Sequence, residues 1–271
     1  MIAPVALSAL ISEYDHVLLD LDGTVWIGDE PTPRAAEAVA ALRGAGKRIA
    51  FVTNDASHST EDYVRKLWSA GCQAAVEEVV TVGVAVTELL SARFAGGDAV
   101  VIGAPALWRH VSDAGLRIVN ATDAVSRARV VVVASHEGFD YGQLRDATTA
   151  VLGGATLIGA ARDQTYPQPD GPWPGSGAIL AAVETAGGVR ADVVVGKPEP
   201  SLFRIATERL GPGRALMVGD RLDSDVAGAL AAGLDAALVL TGSTDRAAAL
   251  AFGEPGPVAI AQTLAELVLG R

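Results

Sequence analysis

The run His16-Val17-Leu18-Leu19-Asp20-Leu21-Asp22-Gly23-Thr24 sets two carboxylates two residues apart at the end of an apolar segment, with glycine next. In open parallel sheets, ligands bind beyond the carboxyl ends of the strands. Two acids placed there can share a divalent cation, and Gly23 permits a sharp turn and close backbone approach to a ligand. The same run also fits a solvated Asp-Gly turn. A second apolar segment, Met217-Val218-Gly219, ends in Asp220, with Asp223, Ser224 and Asp225 just beyond. Asp223 or Ser224 fits a helix N-cap, which leaves Asp220 unaccounted for. Phe51-Val52-Thr53-Asn54 ends in a hydroxyl and a carboxamide. These suit phosphate oxygens ahead of a helix N-terminus, and equally suit local turn bonding. Val195-Gly196-Lys197-Pro198 holds a lysine on a short, stiff loop. Each feature is ordinary alone. On one sheet they would converge, and the clustered carboxylates would raise one another's pKa. A hard cation relieves that, and an all-oxygen ligand set favours Mg2+. Phosphate is the matching substrate group, because Mg2+ and lysine can both neutralise its oxygens.

The elements that must carry these residues alternate. Strand patterns fall at 16–20, 48–53, 99–103, 130–135, 155–160, 192–195, 215–218 and 236–240. Helical patterns fall between most of them, at 34–45, 60–70, 82–94, 105–114, 141–152, 176–186, 201–210 and 224–232. The apolar N-terminus, 1–11, reads as a short helix and not a signal peptide, since no Lys or Arg precedes its apolar run. Alternation of this kind predicts βαβ units and parallel sheets. The chain has 271 residues, 50% of them hydrophobic and 20% charged, which excludes disorder for its bulk. At roughly 150 residues per domain it holds one large domain or two modest ones. No low-complexity linker separates two halves, so a second domain is expected as an insertion. Lys+Arg of 21 against Asp+Glu of 32 gives a net charge of −11, which argues against nucleic-acid binding. The single cysteine, Cys72, excludes an internal disulfide. No stretch reaches the roughly 18 apolar residues of a membrane span, so a cytoplasmic protein without a membrane partner is expected.

The constellation resembles the haloacid dehalogenase superfamily of phosphohydrolases. Its D-x-D-G-T motif is present as Asp20 to Thr24, its strand-end Thr as Thr53, its Lys as Lys197, and its G-D-x-x-x-x-D as Gly219-Asp220 through Asp225, in the right order. The resemblance implies an α/β fold with a Rossmann-like core, a parallel sheet flanked by helices. It implies Asp20 as the nucleophile that forms an aspartyl-phosphate, and Asp22 as acid and then base. It implies Lys197 and Thr53 as holders of the phosphoryl group, with Gly23 and Asn54 among the substrate contacts. Mg2+ would be held by Asp20, Asp220 and the main-chain carbonyl of Asp22, with Asp225 orienting metal-bound water and Lys197.

The long interval from Thr53 to Lys197 resembles the branch with an inserted C2-type α/β cap. Trp26 and Gly28, the Tyr166-Pro167 and Pro174-Gly175-Ser176-Gly177 segments and Gly196-Lys197-Pro198 resemble the class IIA, NagD-like subgroup. The core is expected at 1–80 and 191–271, and the cap at 81–190. The implied activity is Mg2+-dependent hydrolysis of a small phosphomonoester, glycerol-3-phosphate or phosphoglycolate first. Sugar phosphates, nucleoside monophosphates and pyridoxal phosphate follow, and a homodimer through the cap is also implied. A phosphotransferase and a non-hydrolytic phosphoryl-binding protein are the rival readings. The subgroup usually has Asn where this chain has Asp55, and a Thr-Asn-x-Asp-like run where it has Ala160-Ala161-Arg162-Asp163. Arg162 could there pair with a second anionic group on the substrate, or with Asp163. His136 and Glu137, on the expected specificity loop, are candidates for leaving-group contacts.

Overall fold

Two parallel sheets dominate the computed structural model, which describes residues 7–168 and 170–270. The larger has six strands, in the spatial order Ala259–Ala261, Asp235–Val239, Ala215–Gly219, His16–Asp20, Arg48–Thr53 and Val79–Thr81. The smaller has five, in the order Val193–Val194, Thr156–Gly159, Val130–Val133, Asp98–Ile102 and Arg117–Ile118. Every pairing within both sheets is parallel. Two short antiparallel hairpins, Trp26–Ile27 with Glu30–Pro31 and Thr165–Gln168 with Gly171–Pro174, stand outside them. The α/β class with helix-flanked parallel sheets is as expected.

Side chains alternate across a strand, so each sheet faces two cores. On one face of the six-stranded sheet, Val17, Leu19, Phe51, Leu216 and Val218 meet the helices Ala35–Gly44 and Leu264–Leu269. On the other, Leu18, Ala50, Val52 and Met217 meet Leu202, Phe203 and Ala206 of the helix Pro200–Leu210. The same apolar cluster continues through Ala85, Val86 and Leu90 of the helix Val82–Arg93 to Val101, Val130 and Val132 of the five-stranded sheet. The far face of that sheet, with Val100, Ile102, Val131 and Val133, packs on the helices Tyr141–Leu152 and Ser176–Gly187.

Local chemistry sets the elements that end at the site. Thr81 closes its strand and caps the next helix at once, its hydroxyl accepting from Val84 N at 3.3 Å. Ser59 and Asp62 form a reciprocal capping box that starts the helix Thr60–Ser69. The segment after Gly219 takes a wide π turn, Leu222–Val226, before the helix Ala227–Ala231. Such turns cluster at functional positions. Among the described residues no helix is long and apolar enough to cross a membrane. Of the N-terminal helix expected over 1–11, only Ala9–Ser12 is helical among the described residues, and 1–6 lie outside them.

Phe51 is fully buried in the strand that ends at Thr53. Phe51→Ala is expected to cost about 3–5 kcal/mol of unfolding free energy, read by chemical denaturation, because the cavity cannot collapse between two covered sheet faces.

Candidate active site

The strands His16–Asp20, Arg48–Thr53 and Ala215–Gly219 are neighbours, so their carboxyl ends open onto one spot. Lys197 reaches it on the loop after Val193–Val194 and is almost completely buried. Its Nζ donates to Asp20 Oδ1 at 2.5 Å, to Asp225 Oδ1 at 2.7 Å and to the Val52 carbonyl at 3.3 Å. Burial alone would push the lysine down, but the two carboxylates outweigh it and hold its pKa above the ordinary value. Asp20 is pushed well up, by burial first and then by Asp225 and Asp220, although Lys197 opposes the shift.

Carboxylate oxygens of Asp20, Asp220 and Asp225 lie within 4.8 Å of one another. Asp220 is fully buried; its Oδ2 accepts from Ser243 N at 2.5 Å, and its Oδ1 accepts no hydrogen bond. Burial, and then Asp225, pushes Asp220 up to about 7. A buried oxygen without a donor beside two further acids is the arrangement a hard divalent cation satisfies. The residues present therefore fit Mg2+, with Asp20, Asp220 and Asp225 as the carboxylates that could hold it.

The backbone gives this centre its room. A Cβ on Gly242 would stand 2.1 Å from Asp220 Oδ2, and one on Gly219 would stand 2.2 Å from Asp225. Gly23 has φ +92°, and a Cβ there would lie 2.6 Å from the Asp220 carboxylate. The π turn brings Asp225 back over its own start, where Asp225 Oδ2 accepts from Arg221 N at 3.0 Å.

A cleft of about 1040 Å³ opens above Asp20 and lies between the two sheets' strand ends. Asp22 lines it, with its Oδ1 accepting from Trp26 Nε1 at 2.8 Å. Burial, and then the charge of Asp55, pushes Asp22 up to about 6. Thr53 also lines the cleft, its hydroxyl accepting from Asp55 N at 3.0 Å. Asn54 is engaged at both ends of its carboxamide. Its Oδ1 accepts from Lys197 N at 2.7 Å, and its Nδ2 donates to Lys197 O at 3.0 Å and to Asp163 Oδ2 at 2.7 Å. His136 and Glu137 line the opposite wall, with His136 Nε2 against Gln143 Oε1 at 2.7 Å.

Arg162 does not join them. Its guanidinium donates to Glu184 Oε1 at 2.9 Å, and it is absent from the cleft walls. The buried Glu184, which also holds Arg190, is the stronger attraction. Asp223 is no N-cap; it takes the Arg221 guanidinium at 3.0 and 3.1 Å. Motif spacing did not reveal Asp163 and Arg221 as cleft residues. Asp163 ties the five-stranded unit to the six-stranded one through Asn54, and Arg221 Nε stands 3.5 Å from it. Tyr63 and Lys66, on the outer turns of the helix Thr60–Ser69, and Tyr166 and Trp173 of the hairpin complete the walls.

Acids and a buried lysine at the carboxyl edge of a covered parallel sheet, beneath a second α/β unit, define a class of two-unit α/β proteins with a buried acidic centre. Two family models match the chain: a haloacid dehalogenase-like hydrolase over residues 17–117 and an HAD-hydrolase-like one over 194–267. The chain belongs to the haloacid dehalogenase-like hydrolases, and within them to the NagD-like class IIA subgroup. It is 38% identical to the D-glycerol 3-phosphate phosphatase of Mycobacterium tuberculosis over 87% of its own length, and spans 65% of that relative. The crystal structure of a glycerol phosphate phosphatase from the same organism, in complex with magnesium, superposes with a TM-score of 0.87. The identity is 36%, over 97% of this chain and 79% of that one. A 4-nitrophenylphosphatase from Thermotoga maritima gives 0.86 at 31% identity, over 96% and 98%.

Asp163→Ala removes the acceptor of Asn54 and the ion-pair partner of Arg221. It is expected to cost about 1–3 kcal/mol of stability, with Asp163→Asn losing less, as read by thermal or urea unfolding.

Proposed function

We propose that the chain is a Mg2+-dependent phosphomonoesterase for small metabolites, with Asp20 as its nucleophile. The observation that carries this is Lys197, buried between Asp20 and Asp225 beside the unpartnered Asp220 oxygen. The Asp20 carboxylate attacks phosphorus, and the bond from phosphorus to the ester oxygen breaks. Asp22, raised to about 6, gives the leaving oxygen its proton and then takes one from the water that attacks the aspartyl-phosphate. Breaking the Asp20–phosphorus bond releases phosphate. The buried Lys197 ammonium keeps Asp20 oriented and offsets charge on the transferring group, while Thr53 stands at the same strand edge to bind it. Mg2+, held by Asp20, Asp220 and the Asp22 carbonyl, would supply charge neutralisation at the phosphoryl oxygens.

The unit around the five-stranded sheet acts in this reading as a cap over the cleft. It corresponds to the 81–190 insertion, extended by the Val193–Val194 strand that pairs into the same sheet. His136 and Glu137 remain substrate contacts, whereas Gly23, which does not line the cleft, gives room at Asp220, and Asn54 acts by fixing the Lys197 loop. Similarity to the M. tuberculosis enzyme supports glycerol-3-phosphate among the substrates. The same reading places the enzyme in the cytoplasm and joins two copies through their caps. Tyr141 and Leu152, exposed on one stripe of a cap helix, support that pairing.

Phosphate release from a panel of phosphorylated metabolites and 4-nitrophenyl phosphate tests the proposal. Turnover is expected with Mg2+, is expected to vanish with chelator, and should fall by at least about a thousandfold in Asp20→Asn. Asp220→Asn should raise the Mg2+ concentration needed for half-maximal rate. Absence of phosphate release from every ester by the folded, Mg2+-supplied protein would refute it.

A further inference from the structure

The cleft walls are acidic beyond the catalytic centre. Six carboxylates line the cleft, those of Asp20, Asp22, Asp29, Asp55, Glu137 and Asp163, against three Lys and Arg side chains. All three cations are engaged. Lys197 is held by Asp20 and Asp225. Arg221 is held by Asp223 and stands against Asp163. Lys66 donates to the Gly28 carbonyl at 2.7 Å, lies 3.3 Å from Asp29 and stacks 4.7 Å from the Trp26 ring centre. The two histidines of the walls have partners as well, the largely exposed His58 with Asp55 at 3.5 Å and His136 with Gln143. Arg162, which could have met a second anion, is drawn off by Glu184.

Asp55 is the acid nearest in sequence to the phosphoryl-binding strand end, and its charge is felt at Asp22, the proton donor to the leaving oxygen. Ser57 N donates to its carboxylate at 2.9 Å and Ser57 Oγ at 2.5 Å, and the Tyr63 hydroxyl donates as well. His58 first, and then these donors, hold the group ionised against burial. An ionised carboxylate in the cleft wall, close enough to act on Asp22, repels an anion and accepts hydrogen bonds from hydroxyls.

Resting on the phosphatase reading, we infer that the cleft selects phosphomonoesters whose leaving group is uncharged and hydroxylated, and rejects those with a second negative charge there. Asp55 is the main discriminating residue, seconded by Glu137. Discrimination of this kind works by placing a like charge against the wrong substrate. Glycerol-3-phosphate meets the requirement, and phosphoglycolate, with its carboxylate, does not.

The test compares kcat/KM for these two esters at saturating Mg2+, with 4-nitrophenyl phosphate as the reference for chemistry. The wild type is expected to favour glycerol-3-phosphate at least about tenfold. Asp55→Asn is expected to shrink that ratio at least about threefold through a lower KM for phosphoglycolate, and Glu137→Gln, on an exposed loop, to shrink it less. A purely structural role would move both substrates together and leave the ratio alone. A wild-type preference below tenfold, or a ratio that neither variant moves, overturns the inference while leaving the phosphatase reading intact. No turnover of any of the three esters would overturn that underlying reading instead.

Discussion

The rest of the site depends on a buried ammonium. A lysine taken out of water must be paired on every side or it loses its charge. Here Lys197 has Asp20 on one side, Asp225 on the other and the Val52 carbonyl above. Those partners come from two adjacent strands of one sheet and from the turn that follows a third. The lysine can be satisfied only if the strands are in register and the π turn swings Asp225 back. Removing either acid would leave the buried lysine with one carboxylate partner in place of two. The pairing therefore sets the position of Asp20, and the folding of the sheet and the assembly of the site become one requirement.

Around that pair the chain solves a second electrostatic problem. Three carboxylates within 4.8 Å are self-repelling, and one of them keeps an oxygen with no donor at all. The fold maintains this arrangement with glycine at three contact points, where any larger residue would press on the acids. Room for a cation is thus specified by absent side chains as well as by present ones.

Much of this was legible in the sequence because the strongest signals are local. Apolar strands that stop at an acid, a threonine or a glycine mark both the strand and its carboxyl end, and His16–Asp20 and Arg48–Thr53 fall where the pattern puts them. Val79–Thr81 was hidden because Thr81 ends the strand and begins a helix with no turn residue between. The Thr165–Gln168 and Gly171–Pro174 hairpin was hidden by its prolines, which read as loop. The fate of Arg162 turned on Glu184, 22 positions away, and the importance of Asp163 on Asn54, 109 positions away. No spacing rule reaches across such distances. Asn54 illustrates the limit well: its type and place fit a phosphate contact, yet its partners are the backbone of the Lys197 loop and a carboxylate of the other unit.

The apolar cluster that runs without a break from the six-stranded sheet, through the helix Val82–Arg93, to the five-stranded sheet also governs motion. Parting the two units along that seam would wet buried valines and leucines, whereas parting them at the cleft breaks a few polar contacts around Asp163. The mechanical consequence is a pivot: the greasy seam acts as the axle, and the hydrogen-bonded rim as the clasp. Parting the two units is then cheapest as a rotation that keeps the seam dry.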